Sequence, residues 1–103
     1  MATVNEKRTL AQTANALTKL QEQYTPLLQT MQADSQCYVI LAHLLTRGSI
    51  TQMEAVDNFR CYRLSARIAE LREKGVQIET EKVPSKQSYY ARYWLKGAHE
   101  NDL

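Results

Sequence analysis

Residues 51–75 carry start and stop signals for two short helices separated by only three residues. Thr51 and Glu54 stand in the S/T-x-x-E order of a capping box, which predicts a helix of about two turns. After the turn "RCY", the stretch "RLSARIAELREK" repeats apolar residues at helical spacing and ends at a glycine that can cap it, Gly75. Two short helices joined by so tight a turn predict a helix-turn-helix, which leaves little room for any other arrangement of this region.

Signals on both sides of this unit predict one further helix and a β-hairpin. Upstream, Ser35 is a candidate N-cap for "QCYVILAHLLTR", the most hydrophobic helix of the chain, and Gly48 closes it. A lone histidine within it, His43, is expected to be a packed or half-exposed side chain. Downstream, "VQIETEKV" and "YYARYWL" flank the turn signal "PSKQS". With the extended link "SI", the order of elements is that of a winged helix, so we predict a mainly α fold with a small β-hairpin over residues 35–96.

Residues 1–34 are predicted to form an N-terminal amphipathic helical extension. Pro26 lacks an amide hydrogen and biases Thr25 away from helical geometry, so we expect an interruption there, with Thr25 capping a fresh helix. The apolar stripe either mediates a coiled-coil homodimer or lies on the rest of the domain, and about three heptads do not decide between these alternatives. The candidate oligomerisation residues, at heptad spacing, are Leu10, Leu17, Leu20, Tyr24, Leu27 and Met31.

Length and composition fit one intracellular domain. The chain has 103 residues, enough for a modest core without disulfide or metal staples. It has no signal-peptide pattern, and its longest apolar run, "YVILA", is far shorter than the roughly 20 residues that span a bilayer. We therefore expect a soluble cytoplasmic protein without a membrane partner. Cys37 and Cys61 match no metal or redox pattern and are predicted to be reduced and buried.

The charge is distributed unevenly along the chain. Residues 60–96 carry 9 basic and 4 acidic side chains, residues 1–59 carry 4 and 5, and residues 97–103, predicted to be a flexible acidic tail, carry 0 and 2. The basic charge thus belongs to the helix-turn-helix and the hairpin. A phosphate-binding glycine loop, metal-spaced histidines or cysteines and a nucleophile elbow are all missing from the sequence. We predict no catalytic residues, no metal and no cofactor, and hence no enzyme.

Residues 35–96 resemble the winged helix-turn-helix domains of small phage and prophage proteins. The resemblance rests on "GSITQMEA" entering the second helix, "CYRLSARIAELREKG" as the third helix and its cap, and "IETE" and "RYWL" as the wing strands. It implies sequence-specific binding of double-stranded DNA in transcription regulation or as a recombination accessory factor, inside a bacterial host cell. Residues 1–34 lie outside it. Winged helices also serve as protein-binding modules, so the alternative is a domain that binds and inhibits or redirects a host protein.

The third helix, predicted over residues 62–74, has a face suited to DNA. Its apolar residues converge on one side, and the opposite side has small residues edged by cations. Such a helix fits a major groove about 12 Å wide. Arg67 borders the core, and its stem could instead cover apolar neighbours while it pairs with Glu70. The predicted DNA contacts here are Arg60, Tyr62, Arg63, Ser65 and Arg67.

The hairpin, residues 76–96, is predicted to act as a wing along a phosphate backbone or in the minor groove. Phosphate would repel Glu79 and Glu81, so we expect both to point away from the DNA. Arg72 is expected to be solvated or paired with an acidic neighbour on its own helix. The candidate DNA contacts, placed around the hairpin tip, are Lys82, Ser85, Lys86, Gln87 and Arg92.

Overall fold

A computed structural model describes residues 17–98 of the chain, which form four helices and three strands. This architecture confirms the predicted mainly α fold with a small hairpin and a preceding N-terminal helix. Helix α1 is described over residues 17–29, and the remaining elements follow in the order α2 (Gln36–Arg47), β1 (Ser49–Thr51), α3 (Gln52–Phe59), α4 (Leu64–Glu73), β2 (Ile78–Pro84) and β3 (Tyr89–Leu95).

The three strands form one antiparallel sheet in the order β1-β3-β2. β2 and β3 pair along their whole length, from Ile78 opposite Leu95 to Pro84 opposite Tyr89. The sequence predicts the link "SI" only as extended chain, but it is part of β1, which adds a strand to the hairpin. Ser49 of β1 pairs with Trp94 of β3. β1 therefore ties the base of the hairpin to the helices on either side of it.

Local capping chemistry sets both ends of α2 and the start of α3 where the sequence predicts them. The Ser35 hydroxyl accepts a hydrogen bond from the Tyr38 amide (3.2 Å) at the start of α2. At its end, Gly48 adopts a left-handed conformation (φ 90°) and donates its amide to the Leu44 carbonyl (2.7 Å). Both bonds of the Thr51 and Glu54 capping box are present at the start of α3.

The core lies between α2, α4 and the inner face of the sheet. Its fully buried large side chains are Ile40, Leu41, Leu44, Ile50, Leu64, Ile68, Leu71 and Leu95. His43 packs at the edge of this core with its ring perpendicular to Phe59 (centroids 5.6 Å apart), and burial lowers the pKa of its imidazole. Cys61 is buried as predicted, whereas Cys37 is only half-buried.

The predicted interruption of the N-terminal helix at Pro26 is wrong. α1 continues through Thr25 and Pro26 to residue 29. Proline removes the amide that would bond to the Glu22 carbonyl, but Pro26 is exposed, so water can reach that carbonyl. The Thr25 hydroxyl donates to the Gln21 carbonyl within the same turn. The packing of Leu27 and Leu28 against the core holds the helix in place beyond the proline.

Candidate nucleic-acid interface

The turn between α3 and α4 projects two side chains out of the domain. α3 ends at Arg60, which adopts a left-handed conformation (φ 53°) and donates its amide to the Val56 carbonyl (2.9 Å). Cys61 then turns inward and is fully buried. Tyr62, 71% exposed, and Arg63 follow on the outside of the turn. The backbone thus presents an aromatic ring and a guanidinium just before α4 begins.

α4 begins at Leu64, so residues 60–62 form the predicted turn "RCY", and a helix start at residue 62 is two residues too early. Tyr62 belongs to the turn, and Arg63 occupies the N-cap position (φ −128°, ψ 61°). A guanidinium has no hydrogen-bond acceptor, so Arg63 makes no side-chain cap bond. The Gln52 side chain takes this role, since its Oε1 accepts from the Leu64 amide (3.2 Å) while its Nε2 donates to the Cys61 carbonyl (2.9 Å).

The two faces of α4 divide as the apolar spacing predicts. Leu64, Ile68 and Leu71 are buried. Ser65 and Ala69 are exposed on the other side, on the part of the surface that follows Arg63. The exposed face is therefore formed by small side chains, and its cationic group stands at its N-terminal end.

Arg67 lies in the contact between α4 and α2. Its Nη2 pairs with Glu70 Oε2 at 3.3 Å, its side chain is 29% exposed, and its Nε is buried without a hydrogen-bond partner among the described residues. The Cys37 thiol donates to the other oxygen of Glu70 (Sγ to Oε1 2.9 Å). Burial, the hydrogen bond to Glu70 and the carboxylate charge raise the pKa of the Cys37 thiol to about 11. Of the two alternatives for Arg67, this geometry matches pairing at the edge of the core.

Arg72 differs from its predicted role, which was solvation or pairing within its own helix. Its Nε and Nη2 both donate to the Ile78 carbonyl (3.2 and 2.8 Å), and Nη2 also donates to the Thr80 hydroxyl (3.0 Å). The planar guanidinium presents several N–H donors in a fixed fork, so it can bond to the Ile78 carbonyl and the Thr80 hydroxyl at once. Arg72 therefore connects α4 to the first strand of the hairpin.

Three of the five predicted wing residues, Ser85, Lys86 and Gln87, lie in the hairpin tip, and a fourth, Lys82, stands in β2 and is separated from the tip by Val83 and Pro84. All four are exposed, and the turn is closed by backbone bonds between Ser85 and Ser88 in both directions. The Lys82 ammonium lies 5.5 Å from the centroid of the Tyr89 ring, a cation–π distance. The exposed residues of the predicted set are Lys82, Ser85, Lys86 and Gln87.

Arg92 does not lie at the hairpin tip, where it was predicted to be. It stands in the middle of β3, opposite Thr51 on one side and Glu81 on the other, and is half-buried. Its Nη1 donates to the Ser49 hydroxyl (3.2 Å). The tip lies between Pro84 and Tyr89, so three residues of β3 separate Arg92 from the turn.

The acidic residues of β2 lie on the outer face of the sheet. Residues paired across antiparallel strands share a face, so Glu81 and Arg92 are on the same side, together with Trp94 two residues on. The Trp94 indole donates to Glu81 Oε1 (2.8 Å). Thr80, which bonds to Arg72 of α4, lies on the opposite face. Glu79 and Glu81 therefore lie on the face of the sheet opposite to Thr80 and Arg72.

Most of the candidate oligomerisation residues pack against the core of their own chain. Leu17, Leu20 and Tyr24 are buried in the core, and Leu27 and Met31 pack against it half-buried. The Tyr24 hydroxyl also accepts from the Gln77 amide (3.1 Å). Leu10 lies outside the described residues. A dimer through this stripe would compete with the packing of α1 on its own domain.

Residues 17–98 contain no group of three or more metal-ligating side chains. In the same range, no helix has the length and apolar character needed to cross a bilayer.

Residues 35–98 match the family model described as a winged helix-turn-helix domain. No curated protein and no solved structure matches the chain.

Proposed function

The chain belongs to the winged helix-turn-helix domain family, and from this premise we propose that it binds double-stranded DNA with sequence specificity. Domains of this family are typically DNA-binding and non-enzymatic. In the proposed complex, α4 enters the major groove and the hairpin β2–β3 lies along the neighbouring backbone as a wing. Arg60, Tyr62, Arg63 and Ser65 would contact the duplex at or near α4, and Lys82, Ser85, Lys86 and Gln87 would contact it from the wing. Arg67 would reach the duplex only after losing its pairing with Glu70, so we weight it below the other residues of α4.

The observation that carries the proposal is the position of Arg63. It stands exposed at the N-terminal end of α4, beside the exposed ring of Tyr62 and before the small residues Ser65 and Ala69. In helix-turn-helix proteins this end of the recognition helix meets the base edges, and arginine is the side chain that most often reads guanine. Small residues behind it let the helix axis approach the floor of the groove.

The wing supports the same orientation of the duplex. Its tip presents Lys86 with Ser85 and Gln87 beside it, and Lys82 is exposed on β2 just before the tip, which suits contacts to phosphate oxygens. Glu79 and Glu81 are on the outer face of the sheet, so they need not oppose the phosphates. Arg92, half-buried and bonded to Ser49, would reach DNA only after losing that bond. We therefore weight Arg92 below the tip residues as a DNA contact.

The proposed biological role is that of a transcription regulator or recombination accessory factor of phage or prophage type, acting on DNA in the cytoplasm of a bacterial cell. A homodimer would present two copies of α4 to two half-sites about one helical turn apart. The alternative role is a winged-helix module that binds a host protein. The acidic outer face formed by Glu79 and Glu81 favours that alternative, because a DNA-binding surface would not require it.

The first prediction concerns salt and Arg63. A labelled random-sequence duplex, titrated by fluorescence anisotropy at several salt concentrations, is expected to bind more weakly as salt rises. The slope of log affinity against log salt should fall by about 0.9 in magnitude for each phosphate contact that is lost. Arg63→Ala is expected to weaken binding about tenfold, the usual effect of removing one arginine contact. Lys19→Ala removes an equal charge from the exposed side of α1 and should change neither quantity.

Two results would contradict the proposal. Affinity independent of salt would exclude phosphate contacts, and equal losses in Arg63→Ala and Lys19→Ala would mean that charge alone, without the α4 surface, attracts the duplex. If no duplex binds at low salt, the protein-partner alternative gains weight. An affinity-capture experiment with a Glu79→Gln, Glu81→Gln variant as control would then test whether a partner requires the acidic face.

A further inference from the structure

We infer that Gln52 is a positioning residue that caps α4 from the neighbouring helix and thereby holds Arg63 in place against the duplex. The inference rests on the proposed function and adds a residue that makes no DNA contact of its own. Its basis is the pair of hydrogen bonds that the Gln52 amide makes to the turn, to the Cys61 carbonyl and from the Leu64 amide.

The two bonds enclose the two exposed residues of the turn. Cys61 and Leu64 are buried on either side of Tyr62 and Arg63, and the Gln52 side chain bonds to the backbone of both buried residues. A backbone segment held at both ends by one planar amide has few ways to rotate. The direction in which Arg63 leaves the surface is therefore set from α3 rather than by α4 alone.

The base from which Gln52 reaches is itself fixed. Gln52 is the first residue of α3, directly after Thr51, and both capping-box bonds between Thr51 and Glu54 are formed around it. Thr51 is also buried and paired with Arg92 in the sheet. Thr51 and Gln52 thus fix the start of α4 relative to the sheet.

The N-cap position of α4 explains why a cap from outside is needed. Serine, threonine, aspartate and asparagine are preferred there because their oxygen accepts a hydrogen bond from an amide of the first turn. Arg63 has no acceptor to offer. Since Gln52 supplies the acceptor for the first amide of the helix, the N-cap position is free to carry an arginine whose guanidinium points outward. Arg63 can therefore contact DNA from a position that a capping residue would usually occupy.

Glutamine is matched to both bonds. Its side chain donates and accepts at the same time, whereas a glutamate carboxylate would accept from Leu64 but could not donate to the Cys61 carbonyl. Asparagine has the same groups on a side chain shorter by one methylene. We therefore expect Gln52→Glu to keep the bond from the Leu64 amide and Gln52→Ala to lose both bonds.

The experiment is a double-mutant cycle with a labelled random-sequence duplex at low salt. Wild type, Gln52→Ala, Arg63→Ala and the double variant are titrated by anisotropy. Gln52→Ala is expected to weaken binding about fivefold and Arg63→Ala about tenfold. The double variant should bind like Arg63→Ala alone, because a guanidinium that is absent cannot be misplaced. Gln23→Ala, an exposed glutamine on α1, is the matched control and should bind like wild type.

A second readout comes from the free protein. Hydrogen exchange of the Leu64 amide should be faster in Gln52→Ala than in wild type and unchanged in Gln23→Ala, because only the first substitution removes its acceptor. The Gln52→Glu variant should retain slow exchange at Leu64. Far-UV circular dichroism of all variants measures helix content. An unchanged spectrum would show that α4 is still formed, so that weaker binding would come from a displaced Arg63.

The cycle also separates this inference from the proposed function. If Gln52→Ala weakens binding by the same factor with and without Arg63, Gln52 acts only through overall stability and the inference is wrong, while DNA binding stands. If Gln52→Ala binds like wild type, the inference is wrong as well. If the wild-type chain binds no duplex at low salt, both fail together.

Discussion

At the scale of single residues, the contact between α2 and α4 is a polar cluster set into an apolar interface. Glu70 accepts a hydrogen bond from the Cys37 thiol with one oxygen and pairs with Arg67 through the other. The carboxylate is thus shared by a neutral and a charged donor. Because the thiol is half-buried and faces this negative charge, its deprotonation would place two anions side by side, and its pKa rises to about 11.

This pKa leads to a prediction about thiol reactivity. Iodoacetamide reacts with the thiolate, so the rate at which Cys37 is alkylated should rise with a midpoint near pH 11 rather than near the ordinary value of 9.0. Peptide mass mapping distinguishes Cys37 from the buried Cys61. In Glu70→Gln the carboxylate charge is lost while burial remains, so the midpoint should move down but stay above 9.0. A midpoint at or below 9.0 in the wild-type protein would contradict the assigned hydrogen bond.

The same shift has a definite sign in stability. The folded state holds the Cys37 proton more tightly than the unfolded state does, so the contribution of this group is complete below about pH 9. As pH rises from about 9 to about 11, the unfolded chain releases the proton first and stability is lost. Subtracting the pH profile of a Cys37→Ala variant isolates this contribution from those of the other groups in the protein.

At the scale of secondary-structure elements, most helix ends are set by residues close to them in sequence, whereas contacts between elements are not. The caps at Ser35, Gly48 and Thr51 involve residues within a few positions of each other, and the sequence predicts all three. α1 and α4 are exceptions. In α1 the local preference of Thr25 and Pro26 against helix is overcome by tertiary packing, and the first amide of α4 is capped by Gln52 of the neighbouring helix.

Pro26 should therefore be a site where substitution stabilises the protein. Pro26→Ala restores an amide that can bond to the Glu22 carbonyl and removes the ring from the preceding turn. A proline in a helix interior is about 3 kcal/mol less favourable than alanine, and the gain is reduced by the greater freedom of the unfolded alanine chain. We expect the free energy of unfolding to rise by about 1–2 kcal/mol, measured by urea denaturation. Gln23→Ala on the exposed side of the same helix should change it by less than about 0.5 kcal/mol.

The interface itself could be predicted from sequence only where each contact is local. Helical spacing places Leu64, Ile68 and Leu71 in the core correctly, because their positions depend on one helix alone. The partners of Arg72 and Arg92 depend on which strand passes nearby and at what register, which no spacing along the chain encodes.

Gln52 illustrates the same limit. It caps a helix that begins 12 residues later, and the sequence pattern around it indicates only the start of its own helix. Whether a residue at this position reaches the next helix depends on the conformation of the turn, including the left-handed Arg60. The bond between Gln52 and the Leu64 amide can therefore be predicted only when the conformation of the turn is known.

At the scale of the whole molecule, α1 is part of the same core as the winged helix. Leu17 approaches Gly48, directly before β1, and Leu20 approaches Gly97, two residues after the end of β3, so both contacts lie at the base of the sheet. Gln21 donates to the Leu45 carbonyl at the end of α2 (2.9 Å). Helix α1 thus covers the base of the sheet and the end of α2, which would otherwise be open to solvent. We expect residues 17–98 to unfold as one cooperative unit.

Leu20 provides the test of this arrangement and of the dimer alternative together. Leu20→Ala leaves a cavity in a shared core, so the free energy of unfolding should fall by about 2–4 kcal/mol in a single transition. Lys19→Ala, the exposed neighbour, should have little effect. With the stripe packed inside one chain, the thermal midpoint should not change with protein concentration, whereas a dimer held by the same leucines would unfold at higher temperature as concentration rises. A concentration-dependent midpoint that Leu20→Ala abolishes would mean that α1 exchanges its intramolecular packing for a partner copy, and that DNA is bound by two domains at once.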